Sequence, residues 1–313
     1  MMQFPELLCL GEPMLEFNQQ ADERYLAGHG GDTSNVAVAA ARQGASVGYL
    51  TRIGRDTFGE SFMELWENEG IDTSGVETCA DGHTGIYFVT HGPDGHRFSY
   101  HRAGSAASLM TPDFLPHGMI RDAKILHISG ISMAISNSAA DTVFAAIALA
   151  REAGVKVSVD PNLRLKLWPL DRARTMTHAA MAEADIALPG LDDATILTGK
   201  SDPDAIADFY LGLGAKTVAL TLGEAGCLVA TNAQRERIPS RPVDAVDATG
   251  AGDTFDGCFL ANFLRNGDPY RAAHYANTGA ALSTRGFGAV GPMPKRDQVE
   301  TAMTGGGAKG DSD

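Results

Sequence analysis

The chain alternates short apolar runs, rich in β-branched residues, with segments of helical periodicity, and this alternation limits the folds available to it. Runs with strand character occupy residues 7–10, 124–129, 155–160, 185–189 and 217–222. Such an alternation is typical of parallel strands joined by crossover helices. We therefore predict an α/β fold with a mainly parallel central sheet.

Two segments carry clear helix signals. Within residues 56–70, four large apolar side chains recur at helical spacing and predict one buried face: Phe58, Phe62, Leu65 and Trp66. Farther along, Phe255, Phe259 and Phe263 predict a buried helix from about residue 250 to 267. Asp268 followed by Pro269 is typical of a helix start, with the aspartate as N-cap and the proline in the first turn.

One region lacks the helices that the rest of the chain predicts. Residues 72–105 have strand character only, and residues 84–91 are joined to 96–102 by the turn sequence Gly-Pro-Asp-Gly at 92–95. Proline, aspartate and glycine between two β-rich runs predict a hairpin. We expect this segment to form a small β-sheet that covers one edge of the large sheet as a lid.

The charge balance excludes some classes of partner. The 313 residues include 25 Lys plus Arg and 39 Asp plus Glu, for a net charge of −14. A chain this acidic repels polyanions at long range, so we expect neither a nucleic acid nor a membrane as the main partner. The sequence contains neither a long apolar span nor a signal peptide, which favours a cytoplasmic location. The four cysteines are far apart, so free thiols are expected.

The glycine-rich string at 247–257, Asp-Ala-Thr-Gly-Ala-Gly-Asp-Thr-Phe-Asp-Gly, precedes and enters the helix predicted at 250–267. Gly250, Ala251 and Gly252 would leave backbone N–H groups unpaired at the helix start, which is an arrangement that binds anions such as phosphate. A carboxylate in the same turn has a role there if a hydroxyl lies between it and the phosphate. Asp253 would then accept the hydroxyl proton, although helix capping is an equally open interpretation of this residue alone.

The same string resembles the C-terminal signature of the PfkB, or ribokinase-like, carbohydrate kinases. Residues 30–37, Gly-Gly-Asp-Thr-Ser-Asn-Val-Ala, resemble the N-terminal signature, and the likeness extends over about residues 5–300. It implies a three-layer α/β/α sandwich with a β lid, with ATP as phosphoryl donor, Mg²⁺ as cofactor and a sugar hydroxyl as acceptor. On this basis we expect one kinase domain over 1–303, with a lid from about 12–33 and 72–108. A disordered tail is expected at 304–313.

By this resemblance Asp253 is the general base, and Gly250, Ala251 and Gly252 form the anion hole. Many relatives also bind a monovalent cation such as K⁺, for which the matching positions are Asp247 and Thr249.

The resemblance also assigns residues to the nucleotide. Thr221, Gly223 and Gly226 match a turn that approaches the ATP phosphates, with Thr221 in place of a lysine that is common there. Asn277 and Ala280, on the helix after Pro269, are candidate adenine contacts, although tight helix packing explains the alanine equally well.

Asp193 lies where many relatives carry the glutamate of an Asn-x-x-Glu element that organises Mg²⁺. Gly190 and Asp193 depart from that element, but the resemblance implies that the shorter Asp193 could still orient a water of the Mg²⁺ ion. A helix start capped by Asp192 is an equally open interpretation of this segment.

The acceptor pocket is expected from the glycine pair, the hairpin and a strand end. Residues assigned to it are Gly31, Asn35, Tyr87, Tyr100, Arg102, Arg164 and Asp253. Tyr100 and Arg102 share one face of a predicted strand, because side chains alternate with period two. Arg164 follows the strand that ends at Asp160, where α/β proteins bind ligands, and it could equally serve the ATP phosphates.

Two arginines in one pocket fit an acceptor that carries a carboxylate. Residues 99–108 and 160–168 resemble the 2-keto-3-deoxygluconate kinases within the family. This implies phosphorylation of 2-dehydro-3-deoxy-D-gluconate on its 6-hydroxyl, a step of the Entner–Doudoroff pathway. The alternatives are a fructokinase, tagatose kinase or ribokinase, and more remotely a non-catalytic sugar or nucleotide sensor. The exposed edge of the lid also favours a homo-oligomer.

Overall fold

The computed structural model describes residues 5–20, 22–92 and 95–304. Its strands are β1 Leu7–Leu10, β2 Met14–Gln19, β3 Tyr25–Gly30, β4 Val47–Gly54, β5 Val76–Cys79, β6 Gly85–Gly92, β7 Gly95–His101, β8 Ile125–Ser129, β9 Lys156–Asp160, β10 Ile186–Ala187, β11 Thr217–Thr221, β12 Cys227–Thr231 and β13 Arg235–Ile238. Its α-helices are α1 Asp32–Arg42, α2 Thr57–Asn68, α3 His117–Asp122, α4 Gly130–Ala134, α5 Asn137–Glu152, α6 Leu170–Ala182, α7 Leu191–Thr198, α8 Pro203–Leu213, α9 Ala251–Asn266, α10 Pro269–Ser283 and α11 Arg296–Thr304.

Within the described residues, nine strands form one large sheet in the order β13-β12-β11-β10-β9-β8-β1-β4-β5. Strands β13, β12 and β11 pair antiparallel, and all pairings from β11 to β5 are parallel. The strand order reverses at β1, with β4 on one side and β8 on the other. In parallel α/β sheets, ligands bind at the carboxyl ends of the strands beside such a reversal.

Both faces of the large sheet are buried under helices. On β1, Leu8 and Leu10 pack into one apolar cluster and Leu7 and Cys9 into the other, as the period of two requires. Helices α3 to α8 contribute to the first cluster, and α1, α2, α9, α10 and α11 to the second. The predicted α/β/α sandwich with a mainly parallel sheet is therefore confirmed.

Four strands form the small sheet, in the order β3-β2-β6-β7. One face packs on α2, where the rings of Phe17 and Phe58 are 5.9 Å apart. The hairpin of β6 and β7 is confirmed, with Gly92 paired to Gly95, while Pro93 and Asp94 lie outside the described residues. Val76–Cys79 was expected in the lid but pairs with β4 at the edge of the large sheet.

The remaining local expectations agree closely with the structure. The predicted strand at 185–189 is shortened to Ile186–Ala187, just before Pro189, which has no N–H to donate. Asp268 caps α10 by accepting hydrogen bonds from the backbone of Tyr270 and Arg271. Thr304 ends α11 rather than beginning a tail, and the other tail residues, 305–313, lie outside the described part. None of the described helices is long and apolar enough to cross a membrane.

Close packing of α1 against α9 positions the start of α9. A Cβ atom at Gly257 of α9 would lie 2.5 Å from the Cβ of Ala39 and 2.6 Å from the carbonyl oxygen of Val36, both on α1. Only glycine fits at this contact without moving a helix.

Gly257→Ala should therefore lower the free energy of unfolding by about 1–3 kcal/mol, measured by urea denaturation. Gly212→Ala in α8 is the matched control, because nothing lies within 4 Å of a Cβ at that position. The control should leave stability unchanged or raise it by up to about 1 kcal/mol. Equal stability of the two variants would contradict the proposed constraint.

Candidate active site

A cleft of about 690 Å³ lies between the carboxyl edge of the large sheet and the small sheet. It brings together residues that are far apart in the sequence. Predicted site residues that line it are Gly31, Asn35, Tyr87, Tyr100, Arg102, Arg164, Asp193, Thr221, Thr249, Gly250, Gly252 and Asp253. Residues that no prediction assigned also line it, among them Glu12, Asp32, Asp160, Asn162, Lys166 and Asp256.

The N-terminus of α9 opens into this cleft. Gly250 is its N-cap with a φ of 74°, and a Cβ there would lie 2.9 Å from that of Ala289. The Ala251 N–H donates to the carbonyl of Ala248, whereas the N–H groups of Gly252 and Asp253 have no acceptor within the described chain. Nothing lies within 4 Å of a Cβ at Gly252, so a ligand can approach the backbone. Free donors at a helix N-terminus form an anion site.

Asp253 does not cap α9, because Gly250 is the N-cap and no side chain caps this helix. Its Oδ2 atom instead accepts a hydrogen bond of 2.7 Å from Asn35 Nδ2 on α1. Burial raises the pKa of Asp253 to about 7, with a further contribution from Asp32, while the Asn35 hydrogen bond and Arg164 act in the opposite direction. A carboxylate with a pKa near 7 is well suited to accept a proton at neutral pH.

Three other carboxyl groups surround Asp253. Asp32 accepts a hydrogen bond of 2.9 Å from Asn162 Nδ2, and Asp160 accepts one of 3.0 Å from the Asn162 backbone. Burial, followed by the neighbouring aspartates, raises the pKa of Asp160 and of Asp256 well above the usual range. Burial therefore favours the protonated, neutral form of Asp160 and Asp256 at neutral pH.

Aromatic and charged side chains of the small sheet form the opposite wall. The Tyr87 hydroxyl donates to Glu16 Oε2 at 2.6 Å. Arg102 follows β7 and forms an ion pair with the buried Glu12, and its guanidinium carbon lies 5.7 Å from the centre of the Tyr100 ring. Arg102 Nε is buried and has no hydrogen-bond partner among the described residues. The described residues therefore leave this donor unsatisfied, and it remains available to a ligand.

Arg164 and Asp193 meet at the other side of the cleft mouth. Arg164 Nη1 donates to the carbonyl of Leu163 at 2.8 Å and lies 4.0 Å from Asp193 Oδ2. Asp193 also accepts a hydrogen bond of 2.8 Å from the Leu163 N–H, and burial raises its pKa. The α7 helix is capped by the backbone of Gly190, so neither Asp192 nor Asp193 serves as its cap.

The residues assigned to the nucleotide are dispersed. Thr221 ends β11 and lines the cleft. Gly226 must be glycine for packing alone, whether or not it contacts a nucleotide, since a Cβ there would lie 2.0 Å from the Ile238 carbonyl oxygen. Gly223 has a φ of 59° with open space around it. Asn277 Nδ2 donates to the Pro239 carbonyl at 2.6 Å, and neither Asn277 nor Ala280 lines the cleft.

Asp247 joins two loops beside the cleft. Its Oδ1 accepts from the Thr249 N–H and hydroxyl, and its Oδ2 accepts from the Gly288 N–H at 2.9 Å. A cation near Thr249 would therefore share this carboxylate with three protein donors.

The pfkB family carbohydrate kinase model matches residues 6–296. The chain belongs to the pfkB family of carbohydrate kinases. It is 32% identical to "Probable fructokinase-5" of Arabidopsis thaliana (96% of this chain, 97% of the relative) and 33% identical to the 2-dehydro-3-deoxygluconokinase of Thermoproteus tenax (92% of each chain). The structure of fructokinase with bound ATP from Xylella fastidiosa superposes with a TM-score of 0.89 at 25% identity, covering 96% of this chain and 98% of the other.

The donor set of the kinase fits Mg²⁺ that arrives with ATP. Among the described residues, no three His, Cys, Asp or Glu side chains form a cluster able to hold a metal ion. Mg²⁺ at ATP sites is usually bound by phosphates, waters and one or two carboxylates, which is what Asp193 and Asp160 could provide beside the α9 N-terminus.

Asp253→Asn should stabilise the kinase at neutral pH. The pKa of the native carboxyl is raised in the folded protein, so between about pH 4 and pH 7 the carboxyl ionises more readily in the unfolded chain. This difference lowers the free energy of unfolding of the wild type as the pH rises, whereas the neutral amide has no such effect. The gain should be absent near pH 4 and reach on the order of 2 kcal/mol above pH 7, allowing for solvent screening. Thermal unfolding across this pH range, with the exposed Asp192→Asn as control, measures it. A gain independent of pH would refute the raised pKa.

Proposed function

We propose that this kinase transfers the γ-phosphoryl group of ATP to the 6-hydroxyl of 2-dehydro-3-deoxy-D-gluconate, forming the 6-phospho acid and ADP. The observation that carries the proposal is the buried, unpartnered Nε donor of Arg102 in the cleft wall. A guanidinium with a free N–H suits a carboxylate, which the hydroxyls of a neutral sugar do not require. The 33% identity to the Thermoproteus tenax kinase supports the same substrate class.

The geometry supplies the parts for phosphoryl transfer. The acceptor hydroxyl would lie between Asp253 and the α9 N-terminus, where Asp253 takes its proton as the oxygen bonds to the γ-phosphorus. The bond from that phosphorus to the β,γ-bridging oxygen breaks, and ADP leaves. The N–H groups of Gly252 and Asp253, aided by the helix dipole, would stabilise the charge on the transferring group.

Asn35 would orient Asp253 through its 2.7 Å hydrogen bond, leaving the buried and unpartnered Asn35 Oδ1 to accept from a substrate hydroxyl. Mg²⁺, when bound, would neutralise phosphate charge, and Asp193 and Asp160 are the carboxylates that would hold it. Gly31, with a φ of 92°, would bring the start of α1 against the acceptor without a side chain.

A neutral sugar as acceptor is the second candidate, and one observation favours it. Glu12 balances the charge of Arg102, so this arginine alone adds no net positive charge to the pocket. The equal similarity to a fructokinase is consistent with this alternative. A sensor without catalysis is disfavoured, because Asp253 and the glycines of the anion site are both present.

Other expectations stay predictions of this proposal. They are a place in the Entner–Doudoroff pathway, a cytoplasmic location, a homo-oligomer, K⁺ at Asp247 and Thr249, and nucleotide contacts by Thr221, Gly223, Gly226, Asn277, Ala280 and Arg164.

An ATP-coupled assay that compares 2-dehydro-3-deoxy-D-gluconate, fructose, tagatose and ribose tests the substrate. We expect the highest kcat/KM for the keto acid. A preference of the wild-type enzyme for one of the three neutral sugars would reject the keto-acid proposal.

Asp253→Asn should lower kcat about 10²- to 10⁴-fold while ATP still binds, as removal of a general base does.

Arg102→Ala should raise KM for the keto acid about tenfold or more and leave KM for ATP close to the wild-type value. Arg97→Ala, on the strand β7 that Arg102 follows, is the matched control, because Arg97 does not line the cleft. Steady-state kinetics with each substrate varied in turn gives the comparison, and thermal unfolding shows whether the loss of the Glu12 pair unfolds the variant. An equal rise for both substrates would remove Arg102 from the acceptor site.

A further inference from the structure

A third cationic side chain, Lys166, lies in the cleft wall. Its Nζ atom is 5.8 Å from the centre of the Tyr100 ring, and Arg102 approaches the same ring at 5.7 Å. Cations that share one aromatic ring lie at one end of the cleft. Lys166 therefore belongs to the wall that Tyr100 and Arg102 form.

Lys166 differs from the two arginines in its charge environment. Arg102 is paired with Glu12, and Arg164 lies 4.0 Å from Asp193. In the part of the chain that the structure describes, Lys166 has no ion pair with a carboxylate, and it is exposed to solvent. Lys166 is thus the cation in this wall whose charge remains available to a ligand.

The backbone around Lys166 is well anchored. Leu163 and Trp168 are buried on either side of it, the Leu167 N–H donates to the Arg164 carbonyl at 2.9 Å, and the Leu163 N–H donates to Asp193. A fixed backbone with a flexible side chain can place an ammonium group on a ligand at modest entropic cost.

The cleft needs such a charge if its acceptor is an acid. Asp32 and Asp253 lie at the reacting end, and Asp253, with a pKa of about 7, is partly ionised at neutral pH, so an anionic acceptor meets repulsion there. Because Glu12 offsets Arg102, hydrogen bonding by Arg102 can orient a carboxylate but does not supply net attraction.

We propose that Lys166 is the specificity-determining cation of the acceptor site, contacting the carboxylate of a sugar acid whose far hydroxyl faces Asp253. This inference rests on the proposed function and adds the residue that gives acid over neutral-sugar selectivity. Arg102 then sets the orientation of the carboxylate, and Lys166 supplies the attraction.

The test compares Lys166→Met, Lys166→Arg and the control Lys156→Met, an exposed lysine at the start of β9 that does not line the cleft. KM is measured for 2-dehydro-3-deoxy-D-gluconate, for fructose and for ATP, at low and high salt. We expect Lys166→Met to raise KM for the keto acid about tenfold at low salt, less at high salt, with KM for fructose and ATP unchanged. Lys166→Arg should restore most of the acid selectivity.

An equal rise in KM for ATP would assign Lys166 to the phosphates and overturn the proposal. A KM for the keto acid that is the same in Lys166→Met and Lys156→Met would also overturn the proposal. In either case the proposed function would stand if the wild-type enzyme phosphorylates the keto acid. A wild-type enzyme that does not phosphorylate the keto acid would reject both proposals.

Discussion

The contact between α1 and α9 is the constraint on which the site depends. Gly257 lets the two helices approach so closely that a single added carbon would overlap Ala39, and the hydrogen bond from Asn35 to Asp253 forms across the same pair of helices. Both helices begin at the cleft, with Gly31 and Gly250 as their N-caps. The close packing therefore determines where Asp253, the proposed general base, and the free N–H donors lie relative to each other.

Burial of charge has opposite consequences at the two ends of the cleft. Near α9, burial and then the charge of Asp32 raise the pKa of Asp253 to about 7, which suits the base role proposed for it. At the lid, Glu12 is fully buried only because Arg102 and Ser105 both bond to it. Glu12 thereby positions Arg102 but also offsets its charge, which is why the proposed attraction of an anionic acceptor is assigned to Lys166.

Such local arrangements reconcile an acidic protein with the anionic substrates proposed for it. The net charge of −14 acts over long range and is screened by salt, whereas backbone N–H groups and single cations act within the cleft. The global charge thus excludes polyanions from a broad surface without preventing the binding of a nucleotide in a shaped site.

Much of this arrangement follows from local sequence. Apolar runs alternating with helical segments, the glycine-rich string before a helix and the Pro-Asp-Gly turn predicted the parallel sheet, the start of α9 and the hairpin, because each depends on residues within a few positions of one another. The family signatures likewise led to Asp253, Asn35 and the lid residues, which lie together in the cleft.

Contacts between distant segments could be seen only in the tertiary structure. Glu12 pairs with Arg102 across 90 positions, Val76–Cys79 joins the large sheet rather than the lid, and Gly226 is glycine because Ile238 crowds it. Asp160 and Lys166 lie close to Arg164 in the sequence, so the sequence could have suggested them as site residues. It does not show which basic side chains form ion pairs with carboxylates elsewhere in the chain. The sequence by itself determined the element types and the glycine-rich turn at the start of α9, since propensity and periodicity are local. The tertiary structure decided the charge balance of the acceptor site, since partners of buried charges come from remote parts of the chain.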